Sequence, residues 1–197
     1  MTRLPKAIGR DEGGVTIVEF AFVAPVMIVL ITGLLEFGYV LFARSTLESA
    51  VLDAARTSRV ANCPSENAKA IEESIQARMS VIISGDGKPA LVEVDSYGEN
   101  FGDVGNPEPF DDDNGNGTRD PGEGYTDVNG NSQWDEDMGD SGDFGSFGEV
   151  VRFKASYNVR SLLPFIANSF NDGRDFYTIE AVTAVRNEPF MEFACAL

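Results

Sequence analysis

Hydrophobic and polar positions are spread unevenly along this chain, and the first large feature is a run that barely alternates at all. From Val15 to Leu35 the residues are apolar apart from Thr16, Glu19 and Thr32, and after Glu36 the run resumes from Phe37 to Ala43. At 1.5 Å rise per residue, about 20 such residues cross a hydrocarbon layer of about 30 Å, so the run predicts a transmembrane helix. Pro25 lies inside it and predicts a bend, because proline removes one backbone hydrogen bond. The short flank before the run carries Arg3, Lys6 and Arg10. That basic flank is expected to stay in the cytoplasm and to send the C-terminal part across the membrane. A plain secretory signal peptide is the competing reading. It fits poorly, since the run exceeds a 7–15-residue apolar core and no small-residue cleavage site follows it. Glu36 fits either the outer headgroup level or a contact with a second membrane helix. Beyond Arg44, Leu47, Ala50, Val51, Ala54 and Ala55 keep a 3.6-residue spacing, which carries the helix on to about Val60.

Asn62-Cys63-Pro64-Ser65 interrupts that pattern, and Ser65 is the expected N-cap of a second helix over 66–83, with Ala70, Ile71, Ile75, Met79 and Ile82 on one face. Residues 84–89 read as a turn and 90–95 as a strand. Period-two alternation then predicts strands over 151–160, with Val151, Phe153, Ala155, Tyr157 and Val159 on one side, and over 176–186, with Tyr177, Ile179, Ala181, Thr183 and Val185 on one side. Each strand keeps a polar side, so the expected fold class is α+β: a long membrane helix, a second helix and a small antiparallel sheet with one face on the helices. The implied segments are a basic leader (1–14), a transmembrane and extended helix (15–62), a head domain (63–97 and 149–197) and an acidic insertion (98–148).

Composition narrows the chemistry. Fifteen Lys+Arg against 32 Asp+Glu give a net charge of −17, which repels a phosphate backbone and argues against nucleic acid as a partner. The absence of histidine removes the commonest general base and metal ligand. A glycosidase built on paired carboxylates has no support beyond the abundance of Asp and Glu, so no enzymatic activity is expected. Oxygen donors remain, and these suit hard cations. Cys63 and Cys195 are the only cysteines. In a reducing cytosol they are ordinary thiols. In a periplasm-like compartment they are expected to form a disulfide that stabilises by at most about 4–5 kcal/mol.

The insertion cannot build an ordinary core: from Asp103 to Asp143 its many carboxylates face a single cation, Arg119, and left alone such a segment is expected to be disordered. Its spacing is nevertheless regular. Asp112, Asn114, Asn116, Asp120 and Glu123 occupy positions 1, 3, 5, 9 and 12 of a calcium loop, with Gly117 at 6 and the Thr118 carbonyl at 7. Fifteen residues on, Asp127, Asn129, Asn131, Gln133 and Asp135 repeat the start, but Ser132 stands at position 6 and Met138 at position 12. The second loop thus lacks its bidentate glutamate, and Asp137 is the expected substitute from a shifted loop. Calcium is the expected cofactor. With no long flanking helices, the loops are similar to the helix-poor DxNGNG repeats of extracellular calcium-binding proteins.

Glu19 is costly near the end of a membrane helix unless it is paired or hydrated. Its setting, Gly13-Gly14-Val15-Thr16-Ile17-Val18-Glu19-Phe20, resembles the type IV prepilin signal, in which a membrane-embedded peptidase cuts after the glycine. That resemblance implies cleavage between Gly14 and Val15, and a Glu19 that meets the new terminal ammonium of a neighbouring subunit. The competing reading is an interfacial glutamate snorkelling to headgroups in an ordinary signal anchor. The stretch from Val15 to Pro25, Gly33-Leu-Leu-Glu36-Phe-Gly-Tyr39 and Ala43 to Arg56 is similar to the TadE-like family, pilin-like (pseudopilin) minor components of the tight-adherence (Flp) pilus; a weaker echo lies at 185–190. The resemblance covers about the first sixty residues. It implies a pilin-like rod, processing by a prepilin peptidase, partnership with other pilin-like subunits and the pilus assembly machinery, and a single-pass place in the bacterial inner membrane with the head periplasmic or extracellular. The alternative is a signal-anchored surface protein or adhesin with a calcium-binding ectodomain.

Overall fold

The computed structural model describes residues 13–58, 64–164, 167–168 and 171–187. Its elements are α1 (Gly13–Ser58), α2 (Pro64–Met79), β1 (Leu91–Tyr97), β2 (Asp140–Ser141), β3 (Val150–Arg160) and β4 (Phe176–Arg186). The class is α+β. The chain divides into two compact units, Met1–Leu41 and Phe42–Leu197.

In the first unit, α1 runs through Pro25 without interruption. Its large apolar side chains stand outward, Phe22 at 78% and Leu34 at 70% exposure. Such a continuous apolar surface is untenable in water and natural in lipid. Thr32 satisfies its hydroxyl by donating back to the Ile28 carbonyl at 2.7 Å, which removes an unmet donor from an apolar setting. Among the described residues, α1 is the one helix long and apolar enough to cross a membrane. Glu19 is exposed on its surface, whereas Glu36 is buried.

In the second unit, the last turns of α1 bury the expected stripe, Leu47, Ala50, Val51, Ala54 and Ala55, together with Ala43, and α2 buries Ile71, Ile75 and Met79. Small alanines let helices approach closely. The ion pair between Arg78 and Asp53 links α2 to α1. The second helix begins at Pro64, one residue before the expected cap, because a proline in the first turn gives up no needed N–H. It also stops at Met79 rather than continuing to 83: Ile82 is reached by a turn, its amide donating to the Met79 carbonyl at 2.9 Å.

The sheet is antiparallel in the order β2-β1-β3-β4. β3 alternates as expected, with Val151, Phe153, Ala155, Tyr157 and Val159 buried. Leaving each of its larger side chains in water instead would cost about 1.5–3 kcal/mol. β1 departs from simple alternation, since Val94, Asp95, Ser96 and Tyr97 are all buried. The outer side of this strand end is covered by the insertion, whose Asp140–Ser141 pairs with Ser96–Asp95 as β2.

Candidate metal centre

The acidic insertion is folded, and its two loops share most of their hydrogen bonds, differing in that the first aspartate accepts from position 5 in one and from position 4 in the other. In the first, the Asp112 carboxylate accepts from the Asn116 amide at 3.1 Å and the Gly117 amide at 2.8 Å. Asn114 Oδ1 accepts from the Asn116 amide at 3.0 Å, and Asn116 Oδ1 from the Thr118 amide at 2.7 Å. The side-chain amides of Asn114 and Asn116 both donate to Asp120 Oδ2, at 2.6 and 2.9 Å. In the second, Asp127 accepts from Gly130 at 2.6 Å and Ser132 at 2.8 Å. Asn129 Oδ1 accepts from Asn131 at 3.1 Å and Asn131 Oδ1 from Gln133 at 2.6 Å, while both Asn side chains donate to Asp135 Oδ2 at 2.9 and 2.6 Å. Short polar side chains curl each backbone in this way because they hydrogen-bond locally in turns. The sharp reversal at position 6 uses Gly117 with φ 76° in the first loop, and in the second Ser132 takes φ 65° despite its side chain.

The glutamates complete the match. Glu123 is buried, accepting from the Asp113 amide at 3.2 Å and the Asp120 amide at 2.8 Å, which are positions 2 and 9 of its loop. In the second loop positions 2 and 9 are Val128 and Asp135, and their amides donate to Glu108, at 2.6 and 3.3 Å. Glu108 is 0% exposed. It therefore stands where Glu123 stands, although it precedes both loops. The expected substitute, Asp137, is engaged otherwise: it accepts from the Tyr97 hydroxyl at 2.8 Å and pairs with Arg152 Nη1 at 2.6 Å. Sequence spacing missed Glu108. The signal was present as a repeat, Glu108-x-Phe110-x-Asp112 against Glu123-x-Tyr125-x-Asp127.

Aromatic side chains hold the loops together. Phe110 and Tyr125 form an antiparallel bridge, with the Asp111 amide donating to Gly124 and the Thr126 amide to Pro109 at 2.9 and 2.8 Å. Trp134 meets Phe110 edge-on at 6.0 Å and donates its indole N–H to the Glu108 carbonyl at 2.9 Å. Arg119 lies over the rings of Tyr125 and Trp134 at 4.9 and 5.4 Å. The insertion's lone cation is thus committed to aromatic faces. Neither Asp112, Asp120 and Glu123 nor Asp127, Asp135 and Glu108 has an ion-pair partner among the described residues. No three His, Cys, Asp or Glu side chains among the described residues already converge as a metal cluster. Each set is instead two aspartates and a glutamate with Asn side-chain amides between them, whose Nδ2 groups face Asp120 and Asp135. With the amide oxygens turned toward the carboxylates, this is a donor chemistry that fits calcium.

Arg152 ties this assembly to the sheet. Its Nε and Nη2 donate to Asp95 Oδ2 at 3.1 and 2.7 Å, Nη1 pairs with Asp137, and the guanidinium lies 5.3 Å from the Tyr97 ring centre. Burial pulls the Arg152 pKa down, but the carboxylates of Asp95 and Asp137 more than offset this and raise it. Burial, and then the hydrogen bond to Asp137, hold the Tyr97 phenol well above its ordinary range.

At the other end of the chain, the backbone of Gly14 and Val15 forms the first turn of α1, and Glu19 lies one turn further on. Cys63 and Cys195 lie outside the described residues. Residues 14–56 match the family described as TadE-like protein. The match covers nearly all of α1 and none of the sheet or insertion. Comparison with curated proteins and with solved structures gave no significant match. The chain is thus similar, through its first helix, to membrane-anchored proteins associated with the Tad pilus.

Proposed function

We propose that this chain is a non-enzymatic, pilin-like accessory protein of a tight-adherence (Flp-type) pilus, anchored in the bacterial inner membrane by α1, with its head on the periplasmic or outer side. The observation that carries the reading is the TadE-like match at 14–56, lying on a helix whose apolar side chains are outward and whose N-terminal half carries the lone acid Glu19. A prepilin peptidase removes the basic leader after Gly14. Glu19, one turn from the new Val15 ammonium, then neutralises the terminus of an adjacent pilin-like subunit; a matched pair is far less costly in lipid than either charge alone. The oxidising compartment joins Cys63 to Cys195.

The head is stabilised by calcium held in the acidic insertion. Asp112, Asn114, Asn116, the Thr118 carbonyl, Asp120 and Glu123 supply the first site, and Asp127, Asn129, Asn131, the Gln133 carbonyl and Asp135 begin the second. Half-turns of the Asn side chains present oxygen in place of nitrogen beside Asp120 and Asp135, at the cost of releasing the backbone amides of Asn116, Thr118, Asn131 and Gln133 that these oxygens now accept from. Extracellular modules of this chemistry bind in the range of about 10⁻⁴–10⁻³ M.

N-terminal sequencing of the protein from its native host tests the reading. The mature chain is expected to begin at Val15, and Gly14→Ala is expected to retain the leader. A mature chain beginning near Met1 overturns pilin-type processing and favours a signal-anchored surface protein or adhesin.

A further inference from the structure

We infer that the two calcium loops exchange their glutamates: Glu123 closes the first loop and Glu108 closes the second, so that the insertion binds two ions as one coupled unit. This rests on the calcium reading above and changes its second site, for which the loop itself offers only Met138 at position 12.

The first observation is positional. Glu123 accepts from the amides at positions 2 and 9 of the first loop, and Glu108 from those at positions 2 and 9 of the second. Each glutamate precedes the first aspartate of the following loop by four residues, and the antiparallel bridge between Phe110 and Tyr125 brings the two segments side by side. Two like segments paired antiparallel exchange their ends. The residue leading into one loop thereby arrives at the closing position of the other.

The second observation is electrostatic. Glu108 is completely buried, accepts only backbone N–H groups through its carboxylate, and has no cation beside it among the described residues. A buried carboxylate without a counter-charge is expensive, and the one basic side chain of the insertion is spent on Tyr125 and Trp134. A divalent cation held with Asp127 and Asp135 supplies the missing charge.

Exchange also implies coupling. An ion in the second loop fixes Glu108, hence the Phe110 segment that leads directly into Asp112, and an ion in the first fixes Glu123 and the segment leading into Asp127. The ordering cost of the bridge is met once, so the first ion tightens the second.

Calorimetric titration of the metal-free full chain in detergent with calcium alone tests this. The wild type is expected to bind two ions. Glu108→Gln, which keeps the shape and the hydrogen-bonding reach, is expected to lose one ion and to weaken the survivor several-fold. Glu123→Gln is expected to behave as its mirror image, and Asp137→Asn to retain both ions. One ion in the wild type, two in Glu108→Gln, or one in Asp137→Asn overturns the exchange. No ion in the wild type overturns the calcium reading itself. The wild-type stoichiometry needs no variant to fold, and near-ultraviolet circular dichroism of Trp134 identifies a Glu108→Gln chain that has lost its fold rather than its ligand. Glu108→Asp, which keeps the charge but is one methylene short, is expected to lose the second ion too, and retention of two ions there counts against the exchange.

Discussion

Replacing Arg152 with alanine puts the join between insertion and sheet under direct test. The side chain is 17% exposed and its main partner, Asp95, 9%, with two donors converging on one carboxylate oxygen at 2.7 and 3.1 Å. Truncation leaves Asp95 largely buried with only the Ser141 hydroxyl, 2.9 Å away, as compensation. Removing one partner of a buried pair costs about 3–5 kcal/mol, and the residual exposure places this case near the lower end, about 3 kcal/mol. The second pair adds little, because Asp137 is 37% exposed and such pairs contribute about 1 kcal/mol or less. For a folded unit of this size the loss corresponds to a fall in Tm of about 6–12 °C. The assay is urea unfolding of the full chain in detergent, followed through Trp134 emission, with stability taken from midpoint and slope. The double replacement Asp95→Asn with Arg152→Met removes the orphaned charge, and it is expected to cost only about 1 kcal/mol. The reasoning is refuted if the single change costs less than about 1 kcal/mol, or if the double change costs as much as the single one.

Two further expectations concern Tyr97. Its phenol titrates higher in the folded chain than its ordinary value of about 10, so its contribution is fully present below pH 10 and is lost as pH rises through the folded value. Tyr97→Phe is therefore expected to lose about 1 kcal/mol at neutral pH and to show a shallower decline above pH 10 than the wild type; parallel declines would contradict this assignment. A Cβ on Gly139 would stand 2.7 Å from the Tyr97 ring, too close for the ring to yield while its hydroxyl is held by Asp137. Gly139→Ala is thus expected to cost about 1–3 kcal/mol, and an unchanged urea midpoint would show that the ring moves freely.

Much of the fold was legible because its periods are simple. The apolar run and the 3.6-residue stripe from Leu47 to Ala55 specify α1, and the alternation from Val151 to Val159 specifies β3, without tertiary help. The far end of β1 was not legible, because Asp95, Ser96 and Tyr97 are buried by the insertion lying over them rather than by their own polarity. The order within the insertion was hidden for the same reason. Its small core of Phe110, Tyr125, Trp134 and Arg119 comes from residues scattered among carboxylates, and none forms a periodic stripe. Glu108 lies outside the linear motif, which reads forward from its first aspartate, whereas the chain fills the closing position from behind.

Tyr97 and Val150 face one another as register partners, and the Val150 amide reaches back to the Gly98 carbonyl at 3.2 Å. Everything between them therefore departs from and returns to the same rung of the ladder. Lengthening such an excursion costs only about 0.6 kcal/mol per doubling, so one rung carries a tight reversal or, with the packing over β1 to offset the longer loop, a whole mineral-binding cartridge. Excising that cartridge and splicing in a two-residue turn should leave the longer strands in unaltered alignment, which makes this hairpin tip a natural port for exchanging one outward-facing attachment for another.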